Sequence, residues 1–84
     1  MSSSRETIER LLTDLLEEDG QPVPPLSDHL LLLGSGLDSL GFAVLVTRLD
    51  EELGYDPFTL MTEAVYPKTL GEFISLYERY APSA

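Results

Sequence analysis

The chain has 84 residues, a formal net charge of −10 and no cysteine. That length is one domain, residues 1–84, with a modest core and an expected stability of about 3–5 kcal/mol. A single histidine, His29, and no thiol exclude a disulfide, a thiolate site and a His-rich zinc site, and fifteen acidic residues against five basic ones argue against nucleic acid or anionic membrane as partners and favour basic protein surfaces.

The opening Met1-Ser2-Ser3-Ser4-Arg5-Glu6 is polar and lacks the apolar core of a secretory signal. The longest apolar run, Phe42 to Val46, is far too short to span a bilayer. The expectation is a cytoplasmic monomer. Ser3-Ser4-Arg5-Glu6 predicts a capping box. It opens a first helix whose stripe is Ile8, Leu11, Leu12, Leu15 and Leu16, at i, i+3, i+4, i+7 and i+8. Gly20 is its C-terminal stop, and Gln21-Pro22-Val23-Pro24-Pro25 blocks any continuation.

Residues 20–38 then form a connection long enough to need pinning. Leu26, Leu30, Leu31, Leu33 and Leu37 are the candidates to reach the core, and Ser27-Asp28-His29 predicts one helical turn. A second helix is expected over Ser39–Leu53, with Asp38 as N-cap and Gly54 just past its end. Gly34 and Gly36 before it read as turn glycines with positive φ. Asp56-Pro57 reads as a turn or as the start of a short third helix through about Val65, and Pro67 ends that segment. Thr69-Leu70-Gly71-Glu72 is a capping box opening a last helix with Leu70, Phe73, Ile74 and Tyr77 on one face; the tail from Pro82 is expected to fray. No segment has an evident strand period. The fold class is all-α: a small four-helix bundle of three main helices and a short third one, with a long loop between helices 1 and 2. The aromatics Tyr55, Phe58, Tyr66, Phe73, Tyr77 and Tyr80 read as core and helix-contact residues.

The second helix carries the chemistry. At 100° steps, Phe42, Leu45, Val46, Leu49 and Leu53 gather on one side, the core face. Leu40, Ala43, Val44, Thr47 and Glu51 gather on the other, with Asp50 beside them and Arg48 on the flank. An outer strip that is apolar in its first half and acidic in its second suits a docking surface better than packing under the loop. Ser39 stands at the helix start, behind Gly34-Ser35-Gly36, where backbone N–H groups and the helix dipole favour a phosphate.

The block Gly36-Leu37-Asp38-Ser39-Leu40, followed by an acidic helix, resembles the modification site of acyl and peptidyl carrier proteins, and the resemblance extends from about Ile8 to Tyr80 in length, acidity and helix order. It implies that Ser39 is esterified with 4′-phosphopantetheine, whose thiol carries acyl or aminoacyl groups as thioesters. Asp38 and Leu40 would flank the attachment point. It further implies two kinds of partner: a phosphopantetheinyl transferase using coenzyme A and Mg²⁺, and an activating ligase or acyltransferase. The chain would be a carrier with no catalysis of its own. Partner docking would fall to Leu40, Ala43, Val44, Thr47, Arg48, Asp50 and Glu51. Val44 stands where fatty-acid carriers typically have an acid, and Arg48 where a small neutral residue is usual. Val65-Tyr66-Pro67-Lys68-Thr69-Leu70 looks more like peptidyl or specialised carriers. These departures imply a stand-alone carrier of a polyketide-like or nonribosomal-peptide-like pathway.

Two other readings remain open. One is an unmodified acidic adaptor whose second helix binds a groove or basic patch. The other is a small hydrolase using Ser39, with His29 as its one available imidazole. Leu37-Asp38-Ser39-Leu40-Gly41 lacks the first glycine of a hydrolase elbow. Gly34, Gly36 and Gly41 do not form a dinucleotide fingerprint, and no calcium loop is present.

Overall fold

The computed structural model describes residues 4–34, 36–60 and 67–81. Four helices follow in order: α1 (Ser4–Glu18), α2 (Ser39–Leu53), α3 (Pro57–Leu60) and α4 (Leu70–Arg79). Helix α1 packs against both α2 and α4. The architecture is therefore the expected all-α bundle, and no helix among the described residues is long and apolar enough to cross a membrane.

The helix limits follow from local signals. Helix α1 ends in a Schellman arrangement: Gln21 N–H donates to the Leu16 carbonyl at 2.8 Å and Gly20 N–H to that of Glu17 at 3.1 Å, with Gly20 at φ 69°. The expected capping box at Ser3 lies outside the described residues. Helix α2 spans the predicted residues, and Gly54 at φ 84° donates to the Asp50 carbonyl. In α3, Phe58 N–H donates to the Asp56 carboxylate at 2.9 Å. The expected continuation to Val65, and Tyr66, lie outside the described residues. Helix α4 has the predicted capping box between Thr69 and Glu72.

The stripes of α1 and α4 meet in the core. Ile8, Leu12, Leu16, Leu45, Leu49, Leu70, Phe73, Ile74 and Tyr77 are all buried. Phe42 lies edge-on to Phe73 (centroids 5.5 Å apart) and to Phe58 (5.9 Å), joining α2, α3 and α4 through offset aromatic contacts.

The long connection departs most from expectation. It is pinned, but in extended form: Leu31 pairs antiparallel with Thr69 as an isolated bridge. Leu32 N–H donates to the Lys68 carbonyl at 3.0 Å and Leu70 N–H to the Leu30 carbonyl at 2.8 Å. In extended backbone, successive side chains point to opposite sides. Leu30 therefore packs on the core and Leu32 is buried, while Leu31 and Leu33 are 60% and 64% exposed. The expectation that Leu31 and Leu33 reach inward is corrected: Leu31 points outward at the bridge, and Leu33 sits in the turn closed by Gly34 N–H on the Leu31 carbonyl; Leu32 and Leu37 are the buried anchors. Ser27-Asp28-His29 makes a single turn, closed by Leu30 N–H on the Ser27 carbonyl, not a helix. Gly71 permits the close approach of this strap: a Cβ there would lie 2.9 Å from the Asp28 carbonyl oxygen. An Arg5–Asp28 ion pair at 2.7 Å ties the strap to α1 as well.

Candidate functional site

Asp38 is in extended conformation (φ −93°, ψ −177°), and its carboxylate accepts the Gly41 N–H at 2.7 Å. This is the short polar side chain that α2 needs at its N-cap. Gly41 is buried under the same turn, because a Cβ there would lie 2.8 Å from the Leu37 Cδ1 and 3.1 Å from the Asp38 carboxylate. Gly36 has positive φ, at 102°, as expected; Gly34 does not, and that expectation is corrected. Leu37, 2% exposed, nails the turn to the core two residues before the serine.

Ser39, the first residue of α2, is exposed, and so is Leu40 beside it, at 73%. Helix α2 has no acidic residue in its first turn. The Ser39 hydroxyl thus stands at the positive end of the helix dipole, on a rigidly capped turn. It borders a half-enclosed pocket of about 350 Å³ lined by Leu32, Leu33, Phe42 and Pro67 as well as Ser39 itself. Among the described residues no charged side chain lines that pocket, and the strap supplies two of its walls.

The outer strip divides into an open part and a flank. Ala43, Thr47, Asp50 and Glu51 are exposed. The Thr47 hydroxyl donates back to the Ala43 carbonyl at 3.0 Å, which turns it toward its own helix. Val44 was expected on the outer face. It is half-buried and packs partly on the core. Its neighbour one turn on, Arg48, explains why: that flank leans toward α1, where the Arg48 guanidinium makes two 2.8 Å hydrogen bonds to the Glu18 carboxylate. The pair holds Glu18 below the usual carboxylate range and raises Arg48, in each case chiefly through that hydrogen bond. A shallow groove of about 370 Å³ is lined by Ala43, Val44, Thr47, Arg48 and Glu51. Of the strip named from sequence, these five residues line the groove, with Arg48 already engaged, while Leu40 and Asp50 are exposed but not among its lining residues. The Glu18–Arg48 pairing had no local sequence signal, since its partners are 30 residues apart.

His29 is exposed in the strap, and no hydrogen bond among the described residues links it to Ser39. Among the described residues no group of three or more His, Cys, Asp or Glu side chains is placed to hold a metal ion.

Comparison with known proteins adds no neighbour: no family model matches the chain, and no curated protein or solved structure is significantly similar to it.

Proposed function

We propose that this chain is a carrier protein whose Ser39 takes a 4′-phosphopantetheine arm. The observation that supports this reading most is the exposed Ser39 hydroxyl on the first residue of α2, fixed by the Asp38 cap and bordering an apolar pocket. A phosphoryl ester there would meet the N-terminal end of the helix, and the Leu33 and Phe42 side chains offer apolar cover to whatever hangs from it. The donor set fits the group: one nucleophilic hydroxyl and the N–H groups of the α2 N-terminus.

The transferase, with its Mg²⁺, supplies the chemistry of attachment. Ser39 would hold the arm: its oxygen would bond to the pantetheine-bearing phosphorus of coenzyme A as adenosine 3′,5′-bisphosphate departed, and its proton would pass to a base of the transferase. When bound, the arm's thiol carries acyl or aminoacyl groups as thioesters. The chain's own work is positioning: a tether raises the local concentration of its cargo at successive active sites. The departures at Val44 and Arg48 support a specialised, polyketide-like or nonribosomal-peptide-like role, in the cytoplasm.

Incubation of the purified chain with coenzyme A, Mg²⁺ and a broad-specificity phosphopantetheinyl transferase is expected to add a single arm. Fragmentation mass spectrometry should map it to Ser39, and Ser39→Ala should abolish it. No adduct, or one that survives the substitution, rejects the reading.

An acidic adaptor is the second reading, favoured by one observation: Leu40 is 73% exposed and the outer face of α2 carries an open groove lined by Ala43, Val44, Thr47, Arg48 and Glu51. It predicts partner binding that is unchanged in Ser39→Ala.

A further inference from the structure

The start of the strap, Gln21-Pro22-Val23-Pro24-Pro25, does more than stop α1. The rings of Pro22, Pro24 and Pro25 fix φ at about −65°. Each ring also drives the residue before it, Gln21, Val23 and Pro24, to an extended ψ. Together these constraints favour the left-handed polyproline helix, with about three residues per turn and no internal hydrogen bonds. The segment has no helix, strand or turn, and among the described residues Pro22, Val23 and Pro24 take part in no hydrogen bond. The strap's own bonds fall on either side: the Gln21 N–H donates to the Leu16 carbonyl at 2.8 Å, and the Ser27 N–H to the Pro25 carbonyl at 3.1 Å.

Exposure follows the same period. Pro22 and Pro25, one turn apart, are exposed, with Val23 39% exposed between them. Pro24 is half-buried. Gln21, one turn before it, lies over Gly36, where a Cβ would come 3.5 Å from the Gln21 Cβ. Leu26 packs on the core. One edge of the strip is thus held against the body, and the Pro22–Pro25 edge faces solvent. The charge at its N-terminal end is equally one-sided. Helix α1 runs straight into the strip and has no basic residue in its last turn. Arg48 neutralises Glu18, but Glu17 and Asp19 are exposed and make no ion pair among the described residues. Their carboxylates add to the negative end of the helix dipole.

We propose that residues 21–25 are a docking strip for a partner protein domain that reads polyproline helix with an aromatic-lined groove, and that the rim of this groove carries lysine or arginine where it overlies the end of α1. Pro22 and Pro25 seat between the aromatic rings of the groove. Phenol or indole donors of the partner meet the Pro22 and Val23 carbonyls. The partner's cation meets Glu17 and Asp19. The proline rings already hold the strip in its bound shape, so docking orders little additional backbone. A groove with an acidic rim is repelled by the same two carboxylates. The strip shares no residue with Ser39 or the outer face of α2, and the inference does not depend on an arm at Ser39.

The probe is a panel of purified SH3 and WW domains, some with basic and some with acidic groove rims, titrated into the isotope-labelled native chain. A basic-rim domain should bind, with an amide-shift footprint centred on Gln21, Val23 and Leu26 and sparing Ser39 and Thr47. The double variant Pro22→Ala/Pro25→Ala should weaken that binding about tenfold. Glu17→Gln/Asp19→Asn should weaken it about threefold at low salt, a difference that added salt should erase. All of these positions are exposed, so both variants should keep the native fold, checked by circular dichroism. Should the proline pair not fold, Pro22→Ala alone serves under the same criterion. No binding in the panel, a footprint elsewhere, equal binding of acidic-rim domains, or binding unaltered by either pair of substitutions would each overturn the proposal.

Discussion

The N-termini of α2 and α4 use similar parts and end in opposite states. Each has a short polar cap whose oxygen accepts the N–H of the third helical residue: Asp38 for Gly41, Thr69 for Glu72. Each has a first-turn glycine with no room for a Cβ: Gly41 is crowded by its own cap turn, Leu37 and Asp38, and Gly71 by Asp28 of the strap. At α4, however, the Glu72 carboxylate folds back onto the Lys68 and Thr69 N–H groups, the first helical residue Leu70 is buried, and the extended strap covers the turn. The positive end of that helix is filled by its own chain. At α2 no first-turn carboxylate plays this part, and Ser39 and Leu40 face outward. The same capping chemistry closes one end for stability and leaves the other accessible to a ligand or enzyme.

The largest test of that contrast is truncation at the two turns. Leu70→Ala should lower stability by about 2–5 kcal/mol, because it opens a cavity in a closed core. Leu40→Ala, 73% exposed, should stay within about 0.5 kcal/mol. Chemical denaturation of both variants checks it, and equal losses would show that the α2 turn is as closed as the α4 turn.

The two glycines refine it. Gly71→Ala pushes a methyl group into the Asp28 carbonyl, which is backbone, and should cost about 1–3 kcal/mol. Gly41→Ala meets the Leu37 Cδ1 first, the end of a flexible side chain, and should cost less. Amide exchange in the strap should accelerate in Gly71→Ala and remain native-like in Gly41→Ala.

How far these turns were legible depends on the range of the forces that make them. The limits of α2, the caps at Asp38 and Thr69 and the stripes of α1 and α4 all reside in side chains within four residues of one another. The run Leu30-Leu31-Leu32-Leu33 carries no such internal signal. The alternation of Leu30, Leu31 and Leu32 is imposed by pairing with Lys68–Leu70, distant in sequence, and Leu33 turns outward where Gly34 N–H closes on the Leu31 carbonyl, so the sequence reading misses Leu32 and misplaces Leu31 and Leu33. Val44 failed for a related reason: a helical wheel gives angles around one axis but not which flank a neighbouring helix covers. At the site, Asp38, Ser39 and Leu40 were legible as a local constellation. The pocket wall supplied by Leu32 and Pro67, and the Glu18 clamp on Arg48, exist only once distant segments meet.

Removing each cap separates stability from access. Thr69→Ala and Asp38→Ala should each cost about 1 kcal/mol in thermal or denaturant unfolding. Only Asp38→Ala should also slow arm transfer to Ser39, by releasing the turn that presents it. Equal transfer rates in the two variants would separate the cap from the proposed modification.

The smallest effect concerns the strap's tie to α1. The Arg5 hydrogen bond holds the Asp28 carboxyl below its usual range, against the opposing cost of desolvation. A carboxylate depressed in the folded state stabilises above its unfolded pKa, near 3.9 for Asp, and that contribution is lost as pH falls through the folded value. The melting-temperature gap between the native chain and Asp28→Asn should therefore be small at neutral pH, as for any exposed pair, and close on acidification. A gap that widens toward acid pH would show that the pair does not tie the strap.

Tyr77 sets a limit at the other end of the pH scale. Its phenol oxygen is buried with no hydrogen-bond partner among the described residues, while the Tyr55 hydroxyl donates to its backbone carbonyl. Burial, reinforced by the negative charge of Asp56, raises its pKa above the ordinary phenol value. A group that binds its proton more tightly when folded loses that advantage as the solution becomes alkaline. With no tryptophan in the chain, tyrosine dominates the near-ultraviolet spectrum. The tyrosinate absorbance of Tyr77 should thus appear only as the bundle opens, which makes this one ring a built-in optical reporter of whether the core is intact.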